Sequence, residues 1–141
     1  MLAVDTNVLV AAHREDAPNH AVCLALVEKL AVGPSPFALF WPSIYEFLRV
    51  VTHHRVFDPP SSLGDALCAV GDLVTMPAAS ILAATERHAA VLQQVLRETP
   101  VEGNLIHDAH LVALAVEHGV HELITYDGDF KRFPQINSRT P

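Results

Sequence analysis

Short apolar runs alternate with longer stretches of helical periodicity along the whole chain. Three apolar runs, at residues 2–4, 37–41 and 123–125, have the length and composition of buried strands, and a brief further strand is predicted at 76–77. Between the strands, apolar positions recur every three or four residues. This spacing predicts a helical turn or helix over each of the following ranges: 8–12, 18–32, 42–54, 62–74, 85–98 and 104–118.

Strands that alternate with helices favour an α/β fold, in which helices cover both faces of a parallel sheet. The chain contains no repeat, low-complexity tract or linker that would divide it. Its 141 residues are enough to bury a full core without disulfides or structural metals. We therefore expect a single domain over residues 1–141 with a central parallel sheet.

Composition and charge narrow the class of protein without deciding its ligand. Half of the residues are hydrophobic, which argues against disorder. No apolar run approaches the roughly 18 residues of a membrane span, and the first residues lack the basic segment of a secretory signal, so we expect a cytoplasmic protein with no membrane contact. Cys23 and Cys68 match no metal or redox spacing, and buried, reduced thiols are the simpler interpretation.

The net charge of −7 argues against a general electrostatic attraction for nucleic acid, which usually requires a basic surface. It does not exclude such a ligand. Acidic side chains that are gathered in one pocket and charged with divalent cations would reverse the local potential. Charge alone therefore leaves the partner undecided.

Acidic side chains follow two of the predicted strands at the point where each strand ends. Asp5 comes directly after the first strand, and Asp127 and Asp129 follow the strand at 123–125. The carboxyl ends of parallel strands form the edge where open α/β sheets bind ligands. Each acid also has a plain structural interpretation, with Asp5 as a helix N-cap and the Asp-Gly-Asp segment as a surface turn.

A further acid, Asp108, lies on a predicted helix and shares one face with Leu105, Leu111 and Val112. A carboxylate on such a face is costly unless it is hydrogen-bonded, paired or bound to a metal. The helix contains no lysine or arginine that would pair with it. The alternative is that Asp108 only opposes the helix dipole from the first turn.

The last candidate acid, Glu46, lies near the start of the helix predicted at 42–54. Ser43 and Glu46 have the spacing of a capping box, in which the two side chains satisfy the first backbone N–H groups of a helix. Arg49 lies one turn further on and is placed to pair with Glu46. Both interpretations are structural and compete with a functional one.

Gathering these acids in one pocket would carry a large electrostatic cost. Two like charges about 4 Å apart repel by roughly 4 kcal/mol at an effective dielectric constant of 20, whereas a whole fold is stable by roughly 5–15 kcal/mol. Clustered carboxylates must therefore take up protons or hold a cation. Ligands that are all oxygen favour Mg²⁺, with Mn²⁺ as a substitute, over zinc.

Four blocks of this sequence resemble PIN-domain ribonucleases, and specifically the VapC toxins of bacterial VapBC toxin–antitoxin systems. The blocks cover nearly the whole chain and are LAVDTNVLV at 2–10, PSIYEFLRV at 42–50, GNLIHDAHLVALAVEHGV at 103–120 and LITYDGDFKRF at 123–133. The resemblance implies a three-layer α/β/α fold and a Mg²⁺-dependent endoribonuclease that hydrolyses RNA with a metal-activated water. It also implies a homodimer and a VapB-like antitoxin as partner.

The resemblance further implies a catalytic set made of Asp5, Glu46, Asp108 and Asp127. Of these, Asp5, Asp108 and Asp127 are expected to hold the metal, and Glu46 to position or deprotonate the attacking water. No acid of the family pattern is substituted in this chain.

Two further groups of residues have secondary roles in this interpretation. Candidates for hydrogen bonds to the carboxylates, or for orienting them, are Thr6, Asn7, Thr125 and Asp129. Basic and histidine side chains that are candidates to touch RNA phosphates are His13, Arg14, Arg49, Lys131 and Arg132. The alternative for each is an ordinary solvated side chain.

Other interpretations are less well supported. His53, His54, the His107-Asp108 pair and Asp127 loosely match an HD-type metal phosphohydrolase, but such proteins are mostly helical, whereas this chain has predicted strands. A histidine acid–base ribonuclease would keep its activity in a chelator. A catalytically weak PIN-like module that only binds RNA or protein would have lost an acid, and none is missing. The Asp-Gly-Asp turn lacks the rest of an EF-hand loop, including its terminal glutamate.

Overall fold

A computed structural model describes residues 1–141 and contains one five-stranded sheet. The strands lie in the order β3-β2-β1-β4-β5, and all four neighbouring pairs are parallel. The parallel sheet that the sequence predicts is therefore confirmed. Its strands are β1 (Leu2–Val4), β2 (Phe37–Phe40), β3 (Ala79–Leu82), β4 (Glu122–Ile124) and β5 (Asn137–Arg139).

Helices connect the strands and cover both faces of the sheet. A short 3-10 helix, Gly128–Arg132, lies between β4 and β5. The six α-helices are α1 (Thr6–His13), α2 (His20–Val32), α3 (Trp41–Val51), α4 (Leu63–Thr75), α5 (His88–Glu98) and α6 (Leu105–Glu117). No helix is both long enough and apolar enough to cross a membrane.

The apolar runs of the strands divide their side chains between two cores. In β2, Ala38 and Phe40 point into a cluster formed with α5 and α6, whereas Phe37 and Leu39 point into a cluster formed with α1 to α4. Successive side chains of a strand face opposite sides of the sheet, so a strand covered on both faces must be apolar throughout. The result is the three-layer α/β/α arrangement expected from the sequence.

Some details differ from the sequence prediction. The strand expected at 76–77 lies three residues later, because Met76 O accepts a hydrogen bond from Ala79 N in a turn that precedes β3. The edge strand β5 was not predicted, since Asn137–Arg139 contains no apolar residue. Helix α3 ends at Val51, three residues before its predicted end at 54. Helix α5 begins at His88, three residues after its predicted start at 85. Cys23 is buried as expected, but Cys68 is exposed.

Candidate active site

The ends of β1 and β4 bring two of the predicted acids to the same edge of the sheet. Val4 pairs with Ile124, so Asp5 and Thr125 are the next residues of two neighbouring strands. A cleft of about 1310 Å³ opens at this edge. All five candidate acids line it, and these are Asp5, Glu46, Asp108, Asp127 and Asp129.

Asp5 is buried, and both of its carboxylate oxygens accept hydrogen bonds. Oδ1 accepts from Thr6 N at 2.7 Å, which caps helix α1, and Oδ2 accepts from Asn7 Nδ2 at 2.8 Å and from Thr125 Oγ1 at 2.7 Å. Burial raises the pKa of Asp5, and the hydrogen bonds from Thr125 and Thr6 partly offset that effect. Asp5 is thus a helix cap and a cleft residue at once.

Thr125 and Asn7 connect Asp5 to the loop that carries Asp127. Thr125 Oγ1 accepts hydrogen bonds from Asn7 Nδ2 and from Asp127 N, each at 2.9 Å. Asn7 Oδ1 accepts a further bond from Tyr126 N at 3.1 Å. The first turn of α1 and the segment after β4 are therefore held together by side chains around one carboxylate.

Thr6 occupies a different position from the one expected of a supporting hydroxyl. Its backbone N–H reaches Asp5, but its Oγ1 donates to Ser43 O at 3.3 Å. The Thr6 hydroxyl therefore attaches α1 to the start of α3 and does not bond a carboxylate.

Three carboxylates are close enough to share one ion. One oxygen from each of Asp108, Asp127 and Asp129 lies within 4.8 Å of the other two. Asp127 Oδ1 also accepts a hydrogen bond from Asp129 N at 2.8 Å, which holds the Asp127 side chain against the backbone of Asp129. No lysine or arginine forms an ion pair with Asp108 or Asp127. The only basic partner within the group is Arg132, which pairs with the exposed Asp129, and an all-oxygen donor set with this excess of negative charge fits Mg²⁺ or Mn²⁺.

The electrostatics of Asp108 reflect this crowding. Partial burial raises its pKa from an ordinary value of 3.8 to about 6, and the charges of Asp127, Asp5 and Asp129 act in the same direction. His107 lowers the pKa slightly and does not cancel the effect. Without a cation, the surroundings of Asp108 therefore disfavour its ionised form relative to a carboxyl group in water. A bound divalent cation would favour the ionised form.

The group of three does not coincide with the metal ligands implied by the resemblance, whose roles stay predictions. Asp129, expected only to orient its neighbours, lies within the group of three. Asp5, expected to be a main metal ligand, is outside it. Its charge still acts on Asp108 through the shared cleft.

Glu46 lies on the cleft-facing side of α3 and pairs with Arg49, as expected, with Nη2 and Oε1 at 3.3 Å. The capping-box interpretation of Ser43 and Glu46 is wrong. Helix α3 begins at Trp41, two residues before Ser43, with Phe40 as its N-cap residue. Ser43 is therefore inside the helix, 1% exposed, and its hydroxyl has no hydrogen-bond partner.

Of the side chains expected to touch phosphates, only Arg49 lines the cleft. Arg14 is held by Asp16 through two bonds, of 2.7 and 2.8 Å, and its guanidinium lies 4.3 Å from the centre of the Phe57 ring. His13 Nε2 is 3.0 Å from the Ser61 hydroxyl.

The remaining two basic candidates lie on the 3-10 helix after Asp127. Arg132 pairs with Asp129 at 3.3 Å, and Lys131 lines a smaller pocket beside the main cleft. Neither side chain lines the main cleft. Because Arg132 holds one of the three clustered acids, it contributes to the arrangement of the site.

Further aromatic and histidine side chains lie in the cleft, and the sequence interpretation names only His107 among them, in the HD-type alternative. Tyr45, Tyr126, His107 and His110 all line the cleft. Tyr45 and Tyr126 are the direct chain neighbours of Glu46 and Asp127, so adjacency to the candidate acids was the signal that could have found them.

Comparison with known proteins agrees with the fold and identifies the family. The PIN domain family model matches residues 2–136. Ribonuclease VapC43 of Mycobacterium tuberculosis is 43% identical over 141 residues, which cover 100% of this chain and 95% of that protein. Ribonuclease VapC25 of the same species is 36% identical over 144 residues, with 100% and 99% covered.

Solved structures share the fold at much lower identity. VapC20 of Mycobacterium tuberculosis, described as a Sarcin-Ricin loop cleaving toxin, has a TM-score of 0.68 and 16% identity, with 97% of this chain and 99% of that chain covered. VapBC2 from Rickettsia felis, bound to a promoter DNA fragment, gives a TM-score of 0.67 and 15% identity, with 99% and 97% covered. On the full-length sequence matches, this chain belongs to the PIN domain family and, within it, to the VapC proteins.

Proposed function

We propose that this protein is a metal-dependent endoribonuclease and the toxin of a VapBC-type toxin–antitoxin system. The observation that carries the proposal is the convergence of Asp5, Glu46, Asp108, Asp127 and Asp129 on one cleft. Relatives that match the whole chain are named ribonucleases, which supports RNA as the substrate.

The clustered acids have the chemistry of a Mg²⁺ site, with Mn²⁺ as a substitute. Asp108, Asp127 and Asp129 offer three oxygens within mutual reach, and Asp5 borders them. A bound Mg²⁺ would lower the pKa of a coordinated water and screen the charge of the phosphate. We assign the ion to Asp108 and Asp127 in the first place, with Asp5 and Asp129 completing the negative surroundings.

Glu46 is the general base in this proposal. Its carboxylate lines the cleft and its only partner is Arg49, so it remains able to accept a proton from the attacking water. Arg49 keeps further N–H donors for a phosphate oxygen. Hydrolysis of this kind leaves 5′-phosphate and 3′-hydroxyl ends.

Partners follow from the same family membership. We propose that a VapB-like antitoxin inhibits the enzyme by placing a basic side chain in the acidic cleft, and that the toxin is a homodimer. Solved relatives titled as VapBC complexes from Rickettsia felis and Salmonella typhimurium support the antitoxin.

The enzymatic proposal is tested by mapping cleavage sites on total cellular RNA. Purified protein should cut in the presence of Mg²⁺, stop in EDTA and leave 5′-phosphate ends, and the Asp5→Asn variant should not cut. Cleavage that persists in EDTA would contradict the metal dependence and favour histidine acid–base chemistry instead.

The biological role is tested separately by induced expression. Active protein should arrest growth, and coexpression of the antitoxin encoded beside it should relieve the arrest. Normal growth at a high level of active protein would contradict the toxin role while leaving the nuclease assay unaffected.

A further inference from the structure

Helix α3 exposes a stacked pair of aromatic rings beside the acidic cleft. The ring centroids of Trp41 and Tyr45 are 5.6 Å apart, and the ring planes are inclined by 28°. Both side chains are solvent-accessible, with Trp41 37% and Tyr45 64% exposed. Since large aromatic side chains contribute most when buried, two of them left on the surface in parallel suggest a binding face.

The aromatic pair is continuous with the catalytic cleft. Trp41, Tyr45 and Arg49 are spaced four residues apart on α3, which places them along one side of the helix. Tyr45, Glu46 and Arg49 line the same cleft as the clustered aspartates. A ligand strand that reaches the acids can therefore also reach the Tyr45 ring.

The charge of the cleft determines what kind of contact is available to RNA. Arg49 is the only arginine or lysine among the lining residues, and it already pairs with Glu46. The protein as a whole has a net charge of −7. Attraction between phosphates and basic side chains, which usually dominates nucleic-acid affinity, is therefore weak here. Single-stranded nucleic acids are also held by bases that stack on aromatic side chains, and this contact does not require charge.

We propose that Trp41 and Tyr45 form a stacking platform for an unpaired nucleobase of the RNA substrate, close to the phosphate that is cleaved. The platform rests on the proposed function, because it takes RNA as the ligand of this cleft. A second copy of the chain is a poorer occupant. Glu46 and Arg49 beside the platform are 51% and 63% exposed, whereas the centre of a protein interface is depleted in charged residues.

Trp41 is the only tryptophan of the chain and reports directly on the platform. The test uses the Asp108→Asn variant, which is expected to bind RNA without cutting it, and follows tryptophan fluorescence in Mg²⁺. A short oligouridylate should quench the emission with a saturable curve. An abasic strand with the same number of phosphates should not. Raising the salt concentration should change the affinity little.

Substitutions then separate stacking from other effects. Tyr45→Phe should retain the affinity, and Tyr45→Ser should weaken it roughly 5- to 150-fold, the range expected for the loss of one stacked base. In the otherwise wild-type enzyme, Tyr45→Ser should raise KM and leave kcat nearly unchanged. Leu67→Ala, which alters an exposed apolar side chain of α4 outside the cleft, is the control and should change neither.

Several results would overturn the platform. These are absence of quenching, equal quenching by the abasic strand, and unchanged affinity of a folded Tyr45→Ser variant. Conversion of a dimer to a monomer by Tyr45→Ser, seen by light scattering, would show that the face binds protein instead. Wild-type cleavage is measured in parallel. Cleavage without quenching would contradict only the stacking platform. Quenching without cleavage would contradict the proposal that the protein is a nuclease.

Discussion

The Thr125 hydroxyl donates a 2.7 Å hydrogen bond to Oδ2 of Asp5 and so joins the ends of strands β4 and β1. Oγ1 of Thr125 also accepts a hydrogen bond from the backbone N–H of Asp127. One buried hydroxyl thus orients two acids that lie more than one hundred residues apart in the sequence. Its position holds the Asp5 carboxylate and the backbone of Asp127 in a fixed relation.

Replacement of Thr125 by valine should weaken metal binding without unfolding the protein. Valine keeps the shape of the side chain but removes both hydrogen bonds to the acidic site, and outer partners of this kind typically contribute about 10–100-fold to metal affinity. Titration calorimetry with Mn²⁺ measures the change. Thr125→Ser keeps the hydroxyl and should bind nearly as well as wild type, so equal losses in both variants would contradict this role.

Asp108 should make the metal-free protein less stable as the pH rises. Its pKa in the fold is about 6, above the ordinary 3.8. The folded state therefore binds this proton more tightly than the unfolded state, and the stabilisation by protonation is lost between about pH 4 and above pH 6. Asp108→Asn should then raise Tm by roughly 2–4 °C at pH 7.5 without metal, and the difference should disappear near pH 4.

Two controls accompany that measurement. Asp72→Asn removes an exposed carboxylate of α4 outside the cleft and should not change the pH dependence of Tm. Added Mg²⁺ should stabilise the wild type more than Asp108→Asn. A Tm difference that is the same at pH 4 and pH 7.5 would show that Asp108 titrates normally.

Glu46→Gln should separate catalysis from metal binding. Loss of a general base reduces kcat by about 10²–10⁴-fold, while the three clustered aspartates remain intact. The exposed pair with Arg49 adds little stability, so Tm should stay the same. Glu28→Gln on α2, which is exposed and outside the cleft, serves as the matched control. A kcat near the wild-type value in Glu46→Gln would exclude Glu46 as the base.

Ser43→Ala distinguishes the observed start of α3 from a capping box. A buried hydroxyl without a partner costs stability, so its removal should leave the free energy of unfolding unchanged or raise it by up to about 1 kcal/mol. Loss of a true N-cap would instead lower it by about 1 kcal/mol. Urea denaturation measures the difference, and a clear loss of stability would restore the capping interpretation.

The parts of the fold that follow from burial could be predicted from the sequence. Phe37 to Phe40 are apolar in succession because the sheet is covered on both faces, and this makes β2 visible as a strand. Strand β5 has no such signal. Asn137–Arg139 lies at the sheet edge and is defined by its backbone pairing with β4, which a pattern of side chains does not encode.

The sequence predicts that the acids lie close together, but it does not predict which three of them form the closest group. The positions of Asp5 and Asp127 follow from strand ends on one sheet edge. Asp5 lies outside the group of three, and its oxygens accept hydrogen bonds from Thr6, Asn7 and Thr125. These contacts exist only in three dimensions.

The contacts of Arg14, like those of Asp5, could not be predicted from the type of residue. Its basic side chain and its place near Asp5 in the sequence make it a candidate for contact with phosphates. Asp16, two residues away, pairs with it, and the Phe57 ring lies below its guanidinium. Arg49 shows the opposite outcome, because the turn of α3 that carries it faces the cleft.

The central claim is that Asp108, Asp127 and their neighbours form a site for a divalent cation. Electron paramagnetic resonance tests it most directly, because the signal of free Mn²⁺ decreases as the ion binds. The wild type and Asp72→Asn should bind Mn²⁺ with the same stoichiometry, and Mg²⁺ should compete. The Asp108→Asn/Asp127→Asn double variant, folded by circular dichroism, should bind none. Equal Mn²⁺ binding by the double variant, or no binding by the wild type, would contradict the account.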